Sequence, residues 1–493
     1  MARSCRGLRL QRAARMIAAA LRILQLVHGL PPDRAGGTET YAWQLSRALA
    51  ARGHEVEVLA ATKDLARADL SLASVEREGV LVHSLANNLL HEDFRSTWDD
   101  PRVATALAGF VRERDFHLVH VQHLIHLGSA LPGLWKARGA QVAMTLHDYW
   151  SVCARHGQRL RPDGGLCTEV ETSRCGSCLL DFEHKQGRLE RRVLPLARVL
   201  KRATGLDIAP AARRAKAFLA RHPSAPRGAK DGAMIGAEDA ARAAALARQV
   251  VERNAALRER LRSSVARFFA PSRFLLERAV VDGGLPRERI EHLPFGIDLP
   301  PIAPRAERAP GAPIVVGFLG ARIRAKGPDL LLRAWAALDG EARARGELRL
   351  RGSDQSEAAY QTELRSLARA TGARLEGALS RAGVAAFLAE CDLLVVPSRW
   401  WENAPLVVQE ARAARVPLLV AGHGGLAEFV EPGVDGWHFA PGSIEDLRAA
   451  LARVLSGELD TKRLAPRPVP PFAWHVDQLE ARYRDLVAGR PAR

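Results

Sequence analysis

Apolar residues fall in short runs, separated by stretches of helical period, over most of the chain. "RILQLVH", from Arg22, is short and mostly apolar, the pattern of a buried parallel strand. A Gly- and Pro-rich loop, "GLPPDRAGGTE", follows it, then a helical pattern, "TYAWQLSRALAARG", and a strand, "EVEVLAA". "LVHVQH" and "QVAMTLHD" read as strands, with a helix near Gly128 to Arg138 between them. A second block begins at Pro313. Its strands are "PIVVGFLG", "ELRLRG", "ARLEG", "DLLVVPS" and "VPLLVA". Between them the spacing predicts helices over Pro328 to Leu338, Glu357 to Ala370, Ser380 to Glu390 and Pro405 to Ala414, with another near Leu426. Strand–helix–strand alternation of this kind predicts parallel sheets with helices on both faces. Ligands of such sheets bind at the carboxyl ends of the strands.

Two such blocks imply two Rossmann-like, doubly wound α/β domains, over 22–300 and 313–462. The segment "VARFFAPSRFLLERAVVDGGLPRERIEHLPFGID" returns to strand–helix–strand form and closes the first domain. Proline-rich text over 301–312 reads as an exposed linker. The cleft between the domains is the default ligand site. The tail, 463–493, is expected to cross back to the N-terminal domain, and the basic leader, 1–21, to be disordered. Arg22 interrupts the early apolar run, which argues against a cleaved signal peptide.

Charge changes this picture in one place. The chain of 493 residues has a formal net charge of +17. Residues 185–262 carry 19 basic and 7 acidic side chains, a net of +12, in Ala- and Arg-rich text of helical pattern. This basic helical insertion in the first domain reads either as a solvated helical face or as a contact for an anionic membrane surface. No DNA or RNA motif accompanies it, so nucleic acid is not the expected partner. No run of about 18 uncharged apolar residues occurs, so no membrane span is expected.

Candidate chemistry sits at the carboxyl ends of the strands. Arg322 and Lys326 follow "IVVGFLG", where two cations could neutralise an anionic leaving group. "SRWWENAPLVVQE" holds Glu402 in a loop and Glu410 within a helix started by Pro405. "AGGTE" holds Gly36 and Gly37, whose backbone amides could meet a phosphate at a helix start. "GHGGLAE" holds Gly424, Gly425 and Glu428 after a strand, and "TLHDYW" ends a strand at His147. No Asp-x-Asp occurs, so no catalytic metal is expected.

Together "GFLGARIRAKGPDLLLRAW", "LPFGID" and "VVPSRWWENAPLVVQEARAARVPLLVAGHGGLAEFVEPGVDGW" resemble the retaining glycosyltransferases of family 4. "GGTETYAWQLSRALAARGHEVEVLA" and "TLHDYW" are similar to the same family. The resemblance implies the GT-B fold, in which an acceptor domain and a donor-binding domain face each other across a cleft. It implies a hexosyltransferase that takes a nucleotide-diphosphate sugar as donor and a glycan or lipid-linked acceptor, in surface polysaccharide synthesis at the cytoplasmic face of a membrane. In the family's E-x7-E pattern Glu402 contacts the donor sugar, and Glu410 accepts hydrogen bonds from the ribose diol. Asn403, Ala404, Pro405 and Leu406 then lie against the donor, with the Gly424–Gly425 loop and Glu428 on the donor side. Lys326 and Arg322 would face the diphosphate, and His147 the transferring sugar. The family places its arginine directly after the glycine, where this chain has Ala321; Arg322 stands one place later. An epimerase acting on sugar nucleotides would share the architecture but lacks the "ENAPLVVQE" arrangement. A non-enzymatic basic binding protein would show steep salt dependence and no nucleotide-sugar affinity.

Four cysteines, Cys153, Cys167, Cys175 and Cys178, fall in one window, the last two as a C-x2-C pair. Structural zinc, an iron–sulfur cluster and unligated thiols are all open readings. Some bacterial members of the family look similar in this window. Cys5 and Cys391 stand apart from it.

Overall fold

The structure is a computed structural model that describes residues 20–34, 36–180, 182, 199–200, 203–205, 236–298 and 311–490. Expectations on most of the leader, on 301–310 of the linker and on most of the 185–235 segment lie outside the described residues.

Eight strands form the N-terminal sheet: β1 (Arg22–Val27), β2 (Glu55–Thr62), β3 (Leu72–Arg77), β4 (Val80–Ala86), β5 (Leu118–Val121), β6 (Gln141–Thr145), β7 (Arg267–Ala270) and β8 (Ile290–His292). Their order is β3-β4-β2-β1-β5-β6-β7-β8. All pairings are parallel except that of β3 with β4. Six strands form the second sheet: β9 (Ile314–Leu319), β10 (Gly346–Arg351), β11 (Arg374–Glu376), β12 (Leu393–Val396), β13 (Leu418–Ala421) and β14 (Gly436–Phe439). Their order, β11-β10-β9-β12-β13-β14, reverses direction at β9, so the crevice beside β9 and β12 is the expected binding edge. The architecture is therefore the two-domain α/β arrangement read from the hydrophobic pattern. The antiparallel β3–β4 hairpin was not in that pattern, because β3 is largely exposed and carries no apolar alternation.

The helices that position the site are α1 (Gly37–Ala51), α2 (Thr172–Cys178), α3 (Ala237–Ser264), α4 (Arg273–Val281), α5 (Pro328–Ala336), α6 (Leu406–Ala413), α7 (Gly424–Phe429) and α8 (Phe472–Val487). α8 lies on the N-terminal domain, where Val476, Leu479 and Tyr483 join Ile23, Tyr41 and Leu45 in one apolar core. The returning chain pairs with the end of the first domain through a bridge between Ile297 and Pro471.

The expectation of a solvated helical insertion needs correction over its described part. Leu246, Val250, Leu257 and Leu261 of α3 are buried in the N-terminal core, at helical spacing. Arg253, on the same face, is fully buried and donates to the Trp150 carbonyl at 2.6 Å. α2 packs on α3 so closely that a Cβ at Gly176 would stand 1.9 Å from the Ala243 carbonyl oxygen. Among the described residues, no helix is long and apolar enough to cross a membrane.

Candidate active site

A cavity of about 490 Å³ opens between the two domains. Gly36, Gly37, His147, Lys326, Glu402 and Glu410 all line it, as do Asn403, Ala404, Pro405 and Leu406. These residues span almost the whole chain and meet because both sheets present their carboxyl ends to the cleft.

Lys326 ends a short 3-10 turn, Arg324–Lys326, just beyond β9. Gly327 follows with φ +67°, and a Cβ there would meet the Pro397 carbonyl oxygen at 2.0 Å, so this turn needs glycine on both counts. Lys326 Nζ lies 2.6 Å from Glu402 Oε1. The same oxygen accepts from Ser398 Oγ and Trp400 Nε1, each at 2.7 Å. None of these three bonds uses Oε2. Burial favours the neutral acid at Glu402, but the Lys326 charge and the three donors outweigh it and hold the carboxyl below its ordinary range. Glu402 is therefore a buried carboxylate at neutral pH.

A second ion pair braces this loop. Arg399 grips Asp329 of α5 with two bonds of 2.6 Å, and Tyr360 donates to the same carboxylate. Arg399 also donates to the Arg324 carbonyl, which ties the Glu402 loop to the Lys326 turn.

Glu410 stands in a different environment. It projects from α6 into the cavity wall without a hydrogen-bond partner among the described residues. Burial pushes its pKa up to about 7, against a weak opposing pull from Arg381. A carboxylate held half-buried without donors is suited to receive two hydroxyls. Pro405 caps α6 rather than starting it, with Leu406 the first helical residue. A Cβ at Gly37 would lie 3.9 Å from Leu406, so the starts of α1 and α6 face each other across the cleft.

His147 stacks on Phe295 at 5.6 Å and meets Tyr41 edge-on at 5.4 Å. Its Nε2 lies 2.9 Å from Gln122 Oε1. Burial lowers its pKa to about 3, so the ring is neutral. Asp148 also lines the cavity and pairs with His123 at 3.1 Å. Glu39, behind Gly36, is held ionised despite its burial by His28 at 3.1 Å.

Four candidates do not line the cavity. Arg322 is turned into the C-terminal domain, buried at 6% exposure. It pairs with Asp354 at 2.6 Å and donates to the Glu376 carbonyl. The one-residue displacement from the family position sends its side chain to the opposite face, so Lys326 is the lone candidate cation brought to the cavity. Glu428 reaches the other domain and caps α4, accepting from the backbone N–H of Arg273 and Phe274 at 2.9 Å each. Gly424 and Gly425 lie behind the Glu402 loop. A Cβ at Gly425 would stand 1.7 Å from the Asn403 carbonyl oxygen, and its N–H donates to the Glu402 carbonyl at 2.8 Å. Asn403 lines the cavity, but its amide also bridges the domains. It donates to the Leu146 and His147 carbonyls and accepts from Ser272 at 2.6 Å.

Sequence reasoning missed Ser398, Trp400, Asp148, Gln122 and the Asp329–Arg399 pair. The first three stand inside or beside the motifs already singled out, but loop side chains have no period from which direction can be read.

The four cysteines of the window line one smaller cavity. All four are free thiols. Among the described residues no group of three or more His, Cys, Asp or Glu side chains is arranged to hold a metal ion.

Two family models match the chain. One, described as glycosyl transferases group 1, matches residues 301–467; the other, glycosyltransferase family 4, matches residues 35–200. A D-inositol 3-phosphate glycosyltransferase of Nocardiopsis dassonvillei is 32% identical over 222 residues, covering 41% of this chain and 52% of the relative. A putative colanic acid biosynthesis glycosyltransferase of Escherichia coli is 28% identical over 189 residues, covering 37% and 46%. The chain thus spans about half the length of these curated relatives. Sucrose-phosphate synthase from Thermosynechococcus elongatus shares the fold, with a TM-score of 0.59 at 17% identity over 95% of this chain and 100% of that one. Anabaena HepE, solved with UDP-glucose, has a TM-score of 0.52 at 15% identity over 95% and 96%.

Proposed function

Because the chain belongs to the family 4 type of glycosyltransferase and has the GT-B fold, we propose that it moves a hexose from a nucleotide-diphosphate sugar to a glycan or lipid-linked acceptor, with retention of anomeric configuration. One observation carries this reading. An ionised, cation-paired carboxylate, Glu402, and an unpartnered carboxyl, Glu410, share one interdomain cavity.

In this reading Glu410 takes the ribose diol, and Glu402 offers Oε2 to hydroxyls of the transferring sugar. Lys326 and the amides at the starts of α1 and α6 receive the diphosphate, whose charge grows as the glycosidic bond breaks. Glu402 is ionised, so it stabilises charge rather than acting as a glycosidase-type acid. The leaving phosphate oxygen takes the proton of the acceptor hydroxyl as the new bond forms on the same face. His147, neutral, hydrogen-bonds the sugar. The similarity to the Escherichia coli colanic acid biosynthesis glycosyltransferase supports a polysaccharide setting. We propose a cytoplasmic site of action, peripheral to the membrane that carries the acceptor.

A thermal-shift screen over uridine, guanosine and adenosine diphosphate sugars tests the donor class, since a ligand of the folded state alone raises the midpoint. One series should stabilise the protein saturably. NMR of the product then reads the anomeric configuration. No shift with any series, or an inverted product, counts against the reading. For the four thiols we propose structural zinc, supported by their common cavity and their free state. Binding would require the sulfurs to draw together. Metal analysis giving about one zinc per chain supports this; none returns them to unligated thiols.

A further inference from the structure

Beneath His147 lies a buried polar layer that the proposed reaction does not use. Gln122 follows β5 directly, and its own N–H is fixed to the Leu26 carbonyl at 2.8 Å. Its side chain is fully buried. The amide nitrogen donates to Gln25 Oε1 at 2.9 Å and faces His120 Nδ1 at 3.0 Å. That leaves Oε1, which can only accept, facing His147 Nε2 at 2.9 Å. His120 is itself held: its Nδ1 faces the Tyr483 hydroxyl at 2.5 Å, and its Nε2 faces Thr145 Oγ1 at 2.9 Å. With the Gln122 amide nitrogen and the Tyr483 hydroxyl both donating to His120 Nδ1, that nitrogen is the unprotonated one and the Gln122 amide is held in the orientation described. A carbonyl oxygen facing His147 Nε2 demands a proton there.

We propose that Gln122 is a positioning residue: it holds His147 in the tautomer protonated at Nε2, so that Nδ1 presents a lone pair, not a proton, to the cleft. This rests on the reading that His147 meets the transferring sugar, and it sharpens that reading. His147 accepts a hydrogen bond from a sugar hydroxyl and does not supply a proton. The hold extends to the chain's far end, because Tyr483 of α8 buttresses His120 across 363 residues of sequence. The other groups around His147 are His28, Glu39 and the His123–Asp148 pair, with Tyr41 against its ring.

Two variants of the full chain, Gln122→Glu and Gln122→Leu, test the proposal together with histidine-selective 15N NMR, the His147 signals being assigned by their loss in His147→Gln. The free native protein should show His147 protonated at Nε2 alone. Gln122→Leu should yield a tautomer mixture and lower the transfer rate about 10-fold or more, because a displaced contact is costly in an aligned site. The affinity for the nucleoside diphosphate should change less than about 2-fold, since Gln122 touches nothing that holds it. Gln122→Glu should introduce an acid limb in the pH–rate profile, since a carboxylate at that position favours the imidazolium. His147→Gln in the Gln122→Glu background should remove that limb. A native His147 protonated at Nδ1 overturns the proposal, and so does a native pH profile in Gln122→Glu. The NMR measurement needs no substrate. Absence of transfer with every donor would therefore sink the functional reading while leaving the tautomer decided on its own.

Discussion

Replacing Glu410 with Gln should make the free protein more stable and the donor complex weaker. The carboxyl has a pKa of about 7 in the fold, against an ordinary value of 4.5. Between those values the folded state binds more protons than the unfolded chain, so stability falls as pH rises through the interval and stays lower above it. At about 1.36 kcal/mol per pH unit, the interval from 4.5 to about 7 sets a ceiling near 3 kcal/mol. Glu410 is half-buried at the cavity wall rather than sealed, and solvent screening reduces this to about 1–2 kcal/mol. Glutamine removes the charge and keeps the volume. For a domain of this size the gain is about 3–6 °C in midpoint at about pH 8, and close to nothing at about pH 5. Donor binding should run the other way. The ionised carboxylate is the form that accepts both ribose hydroxyls, so native affinity should climb with pH until about 7 and then level. In the variant it should be weaker, by about tenfold or more, and flat with pH. Differential scanning fluorimetry at both pH values, and calorimetric titration with a nucleoside diphosphate, read these two effects. A variant that is less stable than native at the higher pH refutes the reasoning, as does a midpoint change that is the same at both.

Arg399→Leu strands the Asp329 carboxylate, which is 4% exposed. Urea unfolding should show a loss of about 3 kcal/mol, mostly recovered when Asp329→Leu is added. Gly425→Ala places a methyl 1.7 Å from the Asn403 carbonyl oxygen and must displace the Glu402 loop. Its midpoint should fall and its donor KM rise, while Gly340→Ala, with open space around it, changes neither. Glu428→Ala removes the acceptor for two backbone N–H groups of the other domain. Domain closure should weaken by about 1–2 kcal/mol, visible as a larger radius of gyration in solution scattering and a raised donor KM.

What the chain's pattern made legible follows from where side chains point. Strands β9, β12 and β13 are buried and therefore read as unbroken apolar runs, and β1 is buried beyond Arg22 although Gln25 interrupts its run. Lys326 and Glu402 could be placed because residues just past such strands face the cleft. Arg322 shows the limit of that rule: four residues from Lys326, it turns the other way to meet Asp354. Glu428 and Asn403 could not be read, because their partners lie 155 and 256 residues away, in the other domain. The buried stripe of α3 was hidden by its arginines. Arg253 sits on the apolar face, satisfied by the Trp150 carbonyl and Asn254, while the basic count suggested solvent. Helix α8 could be assigned to the N-terminal domain only as a tail crossing back. Its role under His147 depends on one hydroxyl, Tyr483, that no periodicity distinguishes from its neighbours.

In the proposed reaction the pair Lys326–Glu402 receives the donor's diphosphate and sugar in the interdomain cavity. Calorimetric titration of native protein and Lys326→Met, each with the uncharged nucleoside and with the nucleoside diphosphate of the preferred donor, tests it most directly. Diphosphate affinity should fall about tenfold or more in the variant, with nucleoside affinity unchanged. Equal diphosphate affinity in the two proteins, or equal losses for both ligands, would contradict the account.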